Sequence, residues 1–165
     1  MYSCLGQDGD GDSDGSSKSI PSDFTKEVKV FNITVLATSA TSDDDLLHVA
    51  TILAEYLDSN EDGTADNTDV AEYLANNNKY MVVCADQTEC DDQDFGNWPA
   101  NGDGVVTVLA NEMRKTTDYA SNGFDPAIEE VLHFITSEGF AETNTSVFGE
   151  EVGSSIADAM DTARG

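Results

Sequence analysis

The sequence predicts an α/β chain of α+β character. Its expected core is a small mixed sheet of about three to four strands, packed by a long amphipathic helix, a short helix and two C-terminal helices. Two observations predict this class. Apolar runs rich in β-branched residues recur at 28–37, 80–84 and 104–109, each bounded by polar or turn-forming residues. Between and after them, apolar residues return every three or four positions, the period of a helix with one buried face. At 165 residues the chain is long enough for one domain with a real core. Composition divides it into an acidic, flexible tether over 1–22 and a single domain over 23–165.

The elements follow in order. Residues 5–19 are mostly Gly, Ser and Asp and predict a self-repelling spacer; Asp10, Asp12 and Asp14 are read as part of it. Val28 to Ala37 reads as one strand. Ser42 then caps a helix whose first turn, Asp43-Asp44-Asp45, carries the charge that suits a helix N-terminus. Leu46, Val49, Ala50, Leu53 and Leu57 share its apolar face; His48, Thr51 and Glu55 lie opposite, so His48 is expected to be exposed. Val70, Tyr73 and Leu74 give a short helix. Tyr80–Cys84 reads as a buried strand, 86–103 as a long acidic loop around Trp98, and Gly104–Leu109 as another strand. Ser121-Asn122-Gly123 breaks the chain. Asp125 as cap and Pro126 in the first turn start a helix through about Ser137, and a last helix runs near Ser154–Ala163.

Between the first two helices stands Asp58-Ser59-Asn60-Glu61-Asp62-Gly63-Thr64-Ala65-Asp66-Asn67-Thr68-Asp69. Oxygen-bearing side chains fall at loop positions one, three, five, nine and twelve, with glycine at six. Calcium is a hard cation that takes about 6–8 oxygen ligands, and a short loop delivers them only by alternating ligands with spacers. Gly63 permits the sharp turn that lets Thr64 offer its carbonyl. The spacing resembles the calcium loop of EF-hand and dockerin-type modules. It implies Ca2+ bound by Asp58, Asn60, Asp62, the Thr64 carbonyl, Asp66 and Asp69. Asp69 stands where the longer Glu closes many such loops, which points to a structural ion rather than a tight switch.

Thirty-three acidic and only 7 basic side chains give a net charge of −26. Phosphate binding needs a basic patch, so nucleic acid is excluded as a partner, and an anionic membrane surface is disfavoured. Self-repulsion on this scale requires screening by salt or bound cations. A saline habitat and a set of calcium ions both fit, and both place the protein outside the cytoplasm, secreted or at the cell surface. No run is long enough for a transmembrane segment. Of the three cysteines, Cys84 and Cys90 flank a short polar loop and suit a local disulfide. Cys4 heads the acidic spacer and looks like the lipid-bearing cysteine of a bacterial lipoprotein, which implies a lipid anchor there.

The helix starting at Pro126 carries the remaining chemistry. Ile128, Val131, Leu132 and Ile135 form its expected apolar face, while Glu129, His133 and Ser137 align on the other with Glu130 beside them. Glu129-Glu130-Val131-Leu132-His133 resembles the His-Glu-x-x-His helix of zincin metallopeptidases, with Glu129 in place of the first histidine. The order of elements before it is similar as well. Segments 52–63, 129–136 and 159–165 also resemble a family of uncharacterised secreted proteins. The zincin resemblance implies Glu129 and His133 as ligands of Zn2+ or another divalent ion and Glu130 as general base; Asp161, with Asp158 as an alternative, is a candidate third ligand on the last helix. Read from its residues alone, the same helix is equally an amphipathic helix with an exposed Glu–His pair.

Two functions follow. One is an exported, calcium-stapled, zincin-like metalloprotein, a degenerate or incomplete metallohydrolase. The other is a calcium-dependent surface or assembly protein without catalysis, joined to itself or a partner through metal.

Overall fold

A tight antiparallel hairpin, β1 (Lys26–Val30) and β2 (Ile33–Ala37), opens the fold in the computed structural model, which describes residues 18–99, 104–115 and 123–165. Most of the expected tether lies outside the described residues, and so do Cys4 and the Ser121-Asn122 break. The hairpin corrects the single strand expected over 28–37. Phe31 and Asn32 both take positive φ, +48° and +66°, which matches the twist of a two-residue hairpin turn. Asn tolerates that conformation, whereas a bulky Phe rarely adopts it, so the turn is masked in the sequence.

From β2 the chain crosses over through α1 (Asp43–Leu57) and α2 (Thr68–Asn76) to β3 (Tyr80–Cys84), which pairs parallel to β2 with Thr34 opposite Tyr80. A second crossover leads to β4 (Val105–Leu109), parallel to β3 with Tyr80 opposite Val105. The described strands thus form one mixed four-stranded sheet in the order β1-β2-β3-β4, and the fold is mixed α+β. α1 starts as the sequence predicts: the Ser42 hydroxyl accepts the Asp45 N–H at 3.1 Å. Its predicted face, Leu46, Val49, Ala50, Leu53 and Leu57, is buried. Burial of each leucine contributes about 1.5–3 kcal/mol.

Alternation along the strands divides the core in two. Ile33, Val35 and Ala37 of β2 and Met81 and Val83 of β3 face α1 and α2. Leu36, Tyr80, Val82 and Cys84 point the other way and pack with Phe24, Cys90 and Trp98. This second face corrects the expectation of a long loop over 86–103. Its described part holds a short helix α3 (Gln87–Asp91) and a 3-10 turn at Phe95–Asn97. Together they lay Trp98 on the sheet, 1% exposed. The rings of Phe24 and Phe95 meet Trp98 edge-on with centroids 4.8 and 5.1 Å away. The expected Cys84–Cys90 disulfide is present, with Cα atoms 5.6 Å apart, and ties α3 to the end of β3.

Helix α4 (Pro126–His133) packs on α1 and β4 and runs on without a break into a π-helical segment, Phe134–Phe140, and a last turn at Ala141–Thr143. The helical run therefore passes beyond the Ser137 end expected from sequence. Its buried face also differs from the expected one. Ala127, Val131, Phe134 and Ile135 are buried, Ile128 is only partly so, and Leu132 is 45% exposed. Ala127, having no bulk beyond Cβ, lets the first turn approach the core closely, which rotates the helix toward Phe134. The π segment then carries Gly139 onto α2. Beneath it, the buried Lys79 ammonium pairs with Glu138 at 2.6 Å. Two short helices follow, α5 (Thr145–Phe148) and α6 (Ser155–Arg164), the latter near its expected bounds and capped by Ser154.

A Cβ placed on Gly139 would lie 2.8 Å from Val70 Cγ1 and 3.4 Å from Leu74 Cδ1. Gly139→Ala is therefore expected to destabilise the fold by about 1–3 kcal/mol through overpacking, read from urea denaturation. A midpoint unchanged from wild type would show that α2 and the π segment pack more loosely than described. Reducing the Cys84–Cys90 bridge is expected to cost about 2 kcal/mol, the low end for a short loop. Intact mass without reductant should be two hydrogens below the dithiol mass.

Candidate metal centres

The loop between α1 and α2 has a backbone already turned for ligation. α1 ends at Leu57, and Asp58 leaves the helix at φ −140° and ψ 77°. The Asp58 carboxylate is buried and accepts the N–H groups of Asp62 at 3.1 Å and Gly63 at 2.8 Å. Asn60 Oδ1 accepts the Asp62 N–H at 2.9 Å, and Asp62 Oδ1 accepts the Thr64 N–H at 2.9 Å. Glu61 and Gly63 take positive φ, +57° and +82°. Only Gly63 does so without steric cost. Asp66 closes the loop: its N–H reaches the Leu57 carbonyl at 2.7 Å, and its carboxylate accepts the N–H of Ser59 at 3.0 Å. The Ser59 hydroxyl and then that backbone N–H hold the Asp66 carboxyl below its ordinary range, so it stays ionised. Asn67 caps α2 by accepting the Val70 N–H at 3.1 Å, which sets Asp69 in the first helical turn.

Every side chain expected to ligate calcium thus lies on one helix–loop–helix segment, Thr64 entering through its carbonyl. The donor set is all oxygen and carries several formal negative charges, which suits a hard cation. Each N–H bond occupies one lone pair of a carboxylate or amide oxygen and leaves others free. Among the described residues, no three His, Cys, Asp or Glu side chains are already gathered tightly enough to form a ready-made cage. The loop oxygens accept mainly backbone N–H groups, and the Asn60 amide reaches Asp66 Oδ1 at 3.5 Å. The residues fit calcium by donor chemistry and by backbone turn. A shallow cleft of about 230 Å³ separates the loop at Gly63 and Thr64 from the β1–β2 turn at Phe31 and Asn32.

The second expected site lies on α4. Glu129 and His133 sit one turn apart on the solvent side, with Glu129 Oε1 3.7 Å from His133 Nε2. Glu130 is half-buried, because rotation of the helix toward Phe134 brings it to the margin of the buried face. Burial pushes its carboxyl above the ordinary range, the charges of Glu129 and Glu112 add to the rise, and His133 opposes it. Glu112 is the residue that sequence reasoning missed. It ends the single 3-10 turn, Ala110–Glu112, that follows β4, and it approaches Glu130 only because α4 packs back on that strand. Asp161, the expected third ligand, is on α6, where it lies 3.8 Å from Arg164. α6 packs on α5.

His48 departs from its expected exposure. Its side chain is only 26% exposed, and Nε2 donates to Asp125 Oδ2 at 2.6 Å. Asp125 is itself buried, and its other oxygen accepts the N–H groups of Arg114 at 3.2 Å and Ala127 at 3.1 Å. His48 therefore completes the cap of α4 and ties that helix to α1.

Comparison with known proteins finds no matching family model, no matching curated protein and no matching solved structure. Among the described residues, no helix is long and apolar enough to cross a membrane.

The loop generates a direct test. Calcium at a hundredfold excess over its Kd is expected to add about 2.7 kcal/mol to the folded state, raising the melting temperature, and chelator should reverse it. Asp58→Ala should abolish this calcium-dependent increment. A melting temperature indifferent to chelator in the wild-type protein would exclude a structural ion.

Proposed function

We propose that the chain is an exported, calcium-stapled metalloprotein whose α4 presents an incomplete, zincin-like site for a divalent metal. The observation that carries this reading is the 3.7 Å approach of Glu129 and His133 on one solvent-facing turn, beside a half-buried Glu130. Calcium at 58–69 would anchor the α1–α2 crossover and offset part of the −26 charge. At α4, Glu129 and His133 would hold Zn2+ or another divalent ion, which when bound supplies Lewis acidity. Zinc sites use at least three protein ligands. Among the described residues Glu129 and His133 have no third ligand gathered beside them, so Asp158, Asp161 or a partner would have to supply it. Glu130 would serve as general base, the role the helix resemblance implies, and its partial burial raises its affinity for a proton. A lipid on Cys4 would hold the domain at the cell surface through the acidic tether.

A second reading, a calcium-dependent surface or assembly module without catalysis, draws its support from the charge of −26. Zinc calorimetry separates the two. His133→Ala should abolish zinc binding and leave calcium binding intact. Equal zinc binding by wild type and His133→Ala would reject the α4 site and leave the assembly reading.

A further inference from the structure

Helix α6 is amphipathic, yet its apolar stripe faces away from its own domain. Ile156, Ala159, Met160 and Ala163 recur at helical spacing and all are exposed, Ile156 at 43% and Met160 at 50%. Val152, just before the helix, is 90% exposed and extends the apolar surface. The helix rests on the body through Ala157, which is half-buried, and through its cap. Ser154 is buried, its hydroxyl donates to the Gly149 carbonyl, and it accepts the Ala157 N–H at 3.2 Å. The first turn is thus anchored, and the outward direction of the stripe is set by that anchor rather than by fraying. An apolar stripe of this kind normally faces a core.

The charge around the stripe indicates what would cover it. Glu150 and Glu151 precede it, Asp158 and Asp161 flank it, and Arg164 is the only basic residue of the helix. A second copy of this chain would bring the same acidic rim against itself, with −26 on each partner. The residues at 1–17 carry four aspartates and no basic side chain, so they offer no complement either. An anionic lipid surface is repelled for the same reason.

We propose that the Val152–Ile156–Met160 stripe of α6 is a docking face for an amphipathic helix of another protein, one that lines its own apolar stripe with Lys and Arg. The small Ala159 and Ala163 let a partner helix approach closely, and the acidic rim supplies ion pairs and steering. The face is small, so the complex is of the transient class. This inference stands apart from both metal readings.

The test uses the whole protein and a synthetic Leu/Lys amphipathic peptide, with affinity measured in about 0.15 M salt, where long-range charge attraction is screened. Ile156→Ser combined with Met160→Ser removes the apolar anchors and leaves the charge unchanged. Because both positions are exposed, the melting temperature should hold, and Val152→Ser at the 90% exposed position provides an independent second variant. The peptide is expected to bind wild type at least about tenfold more tightly than the double variant, equivalent to roughly 1.4 kcal/mol. A Leu/Glu peptide should not bind. Equal affinity for wild type and both variants would overturn the proposal, since attraction would then be charge alone. It would also be overturned by self-association, or by binding to neutral phospholipid vesicles, that the double variant loses.

Discussion

Strand β3 is buried at every one of its positions, Tyr80 to Cys84, and the rest of the architecture answers to that burial. A central parallel strand must be covered on both faces, because alternate side chains point to opposite sides. Met81 and Val83 meet the α1–α2 layer. Tyr80, Val82 and Cys84 need a second cover, and the chain supplies it from the segment after β3. The disulfide and Trp98 hold that segment down. The Glu89 carboxylate assists by accepting the Thr38 hydroxyl from the end of β2. A stretch rich in aspartate thereby becomes part of the core.

Asp125 connects this sheet to the α4 surface. One oxygen caps the helix and takes the Arg114 N–H from the β4 exit, while the other takes His48 from α1. A buried carboxylate is tolerated only when its lone pairs are filled, and here three donors fill them. The consequence reaches the face of α4. With its first turn fixed and Ala127 against the core, the helix turns Glu130 to the edge of the buried surface and leaves Glu129 and His133 in solvent. The desolvation that raises the Glu130 carboxyl follows from where the cap sits.

The 58–69 loop and the acidic surface share one electrostatic problem. With 33 acidic side chains against 7 basic ones, each cation has unusual weight. Lys26 donates to the Thr41 carbonyl at 2.6 Å and pairs with Asp43 at 2.7 Å, and Lys115 pairs with Asp45 at 2.6 Å. Both lysines meet the acidic first turn of α1, where the helix dipole already favours carboxylates. The 58–69 loop carries Asp58, Glu61, Asp62, Asp66 and Asp69 with no basic residue of its own. A bound cation there would supply locally what the composition withholds.

Local patterns were legible in the sequence, and their physical reason is local. The caps Ser42 and Asp125 depend on a side-chain oxygen reaching an amide two or three residues on. The α1 face depends on the 3.6-residue period, and the Gly63 turn on a missing Cβ. The sheet class followed from three β-rich runs. Tertiary structure alone decided the features in which distant residues compete for the same space. Phe31 accepts a left-handed conformation because the hairpin packs. Trp98 leaves an acidic segment because one face of β3 lacks cover. Leu132 gives up its place in the core to Ala127 and Phe134. His48 meets Asp125, and the charge of Glu112 is felt at Glu130, across separations that no periodicity encodes. The outward stripe of α6 belongs to the same class. Its amphipathic period is written in the sequence, but its direction depends on the buried Ser154 cap and its carbonyl partner at Gly149.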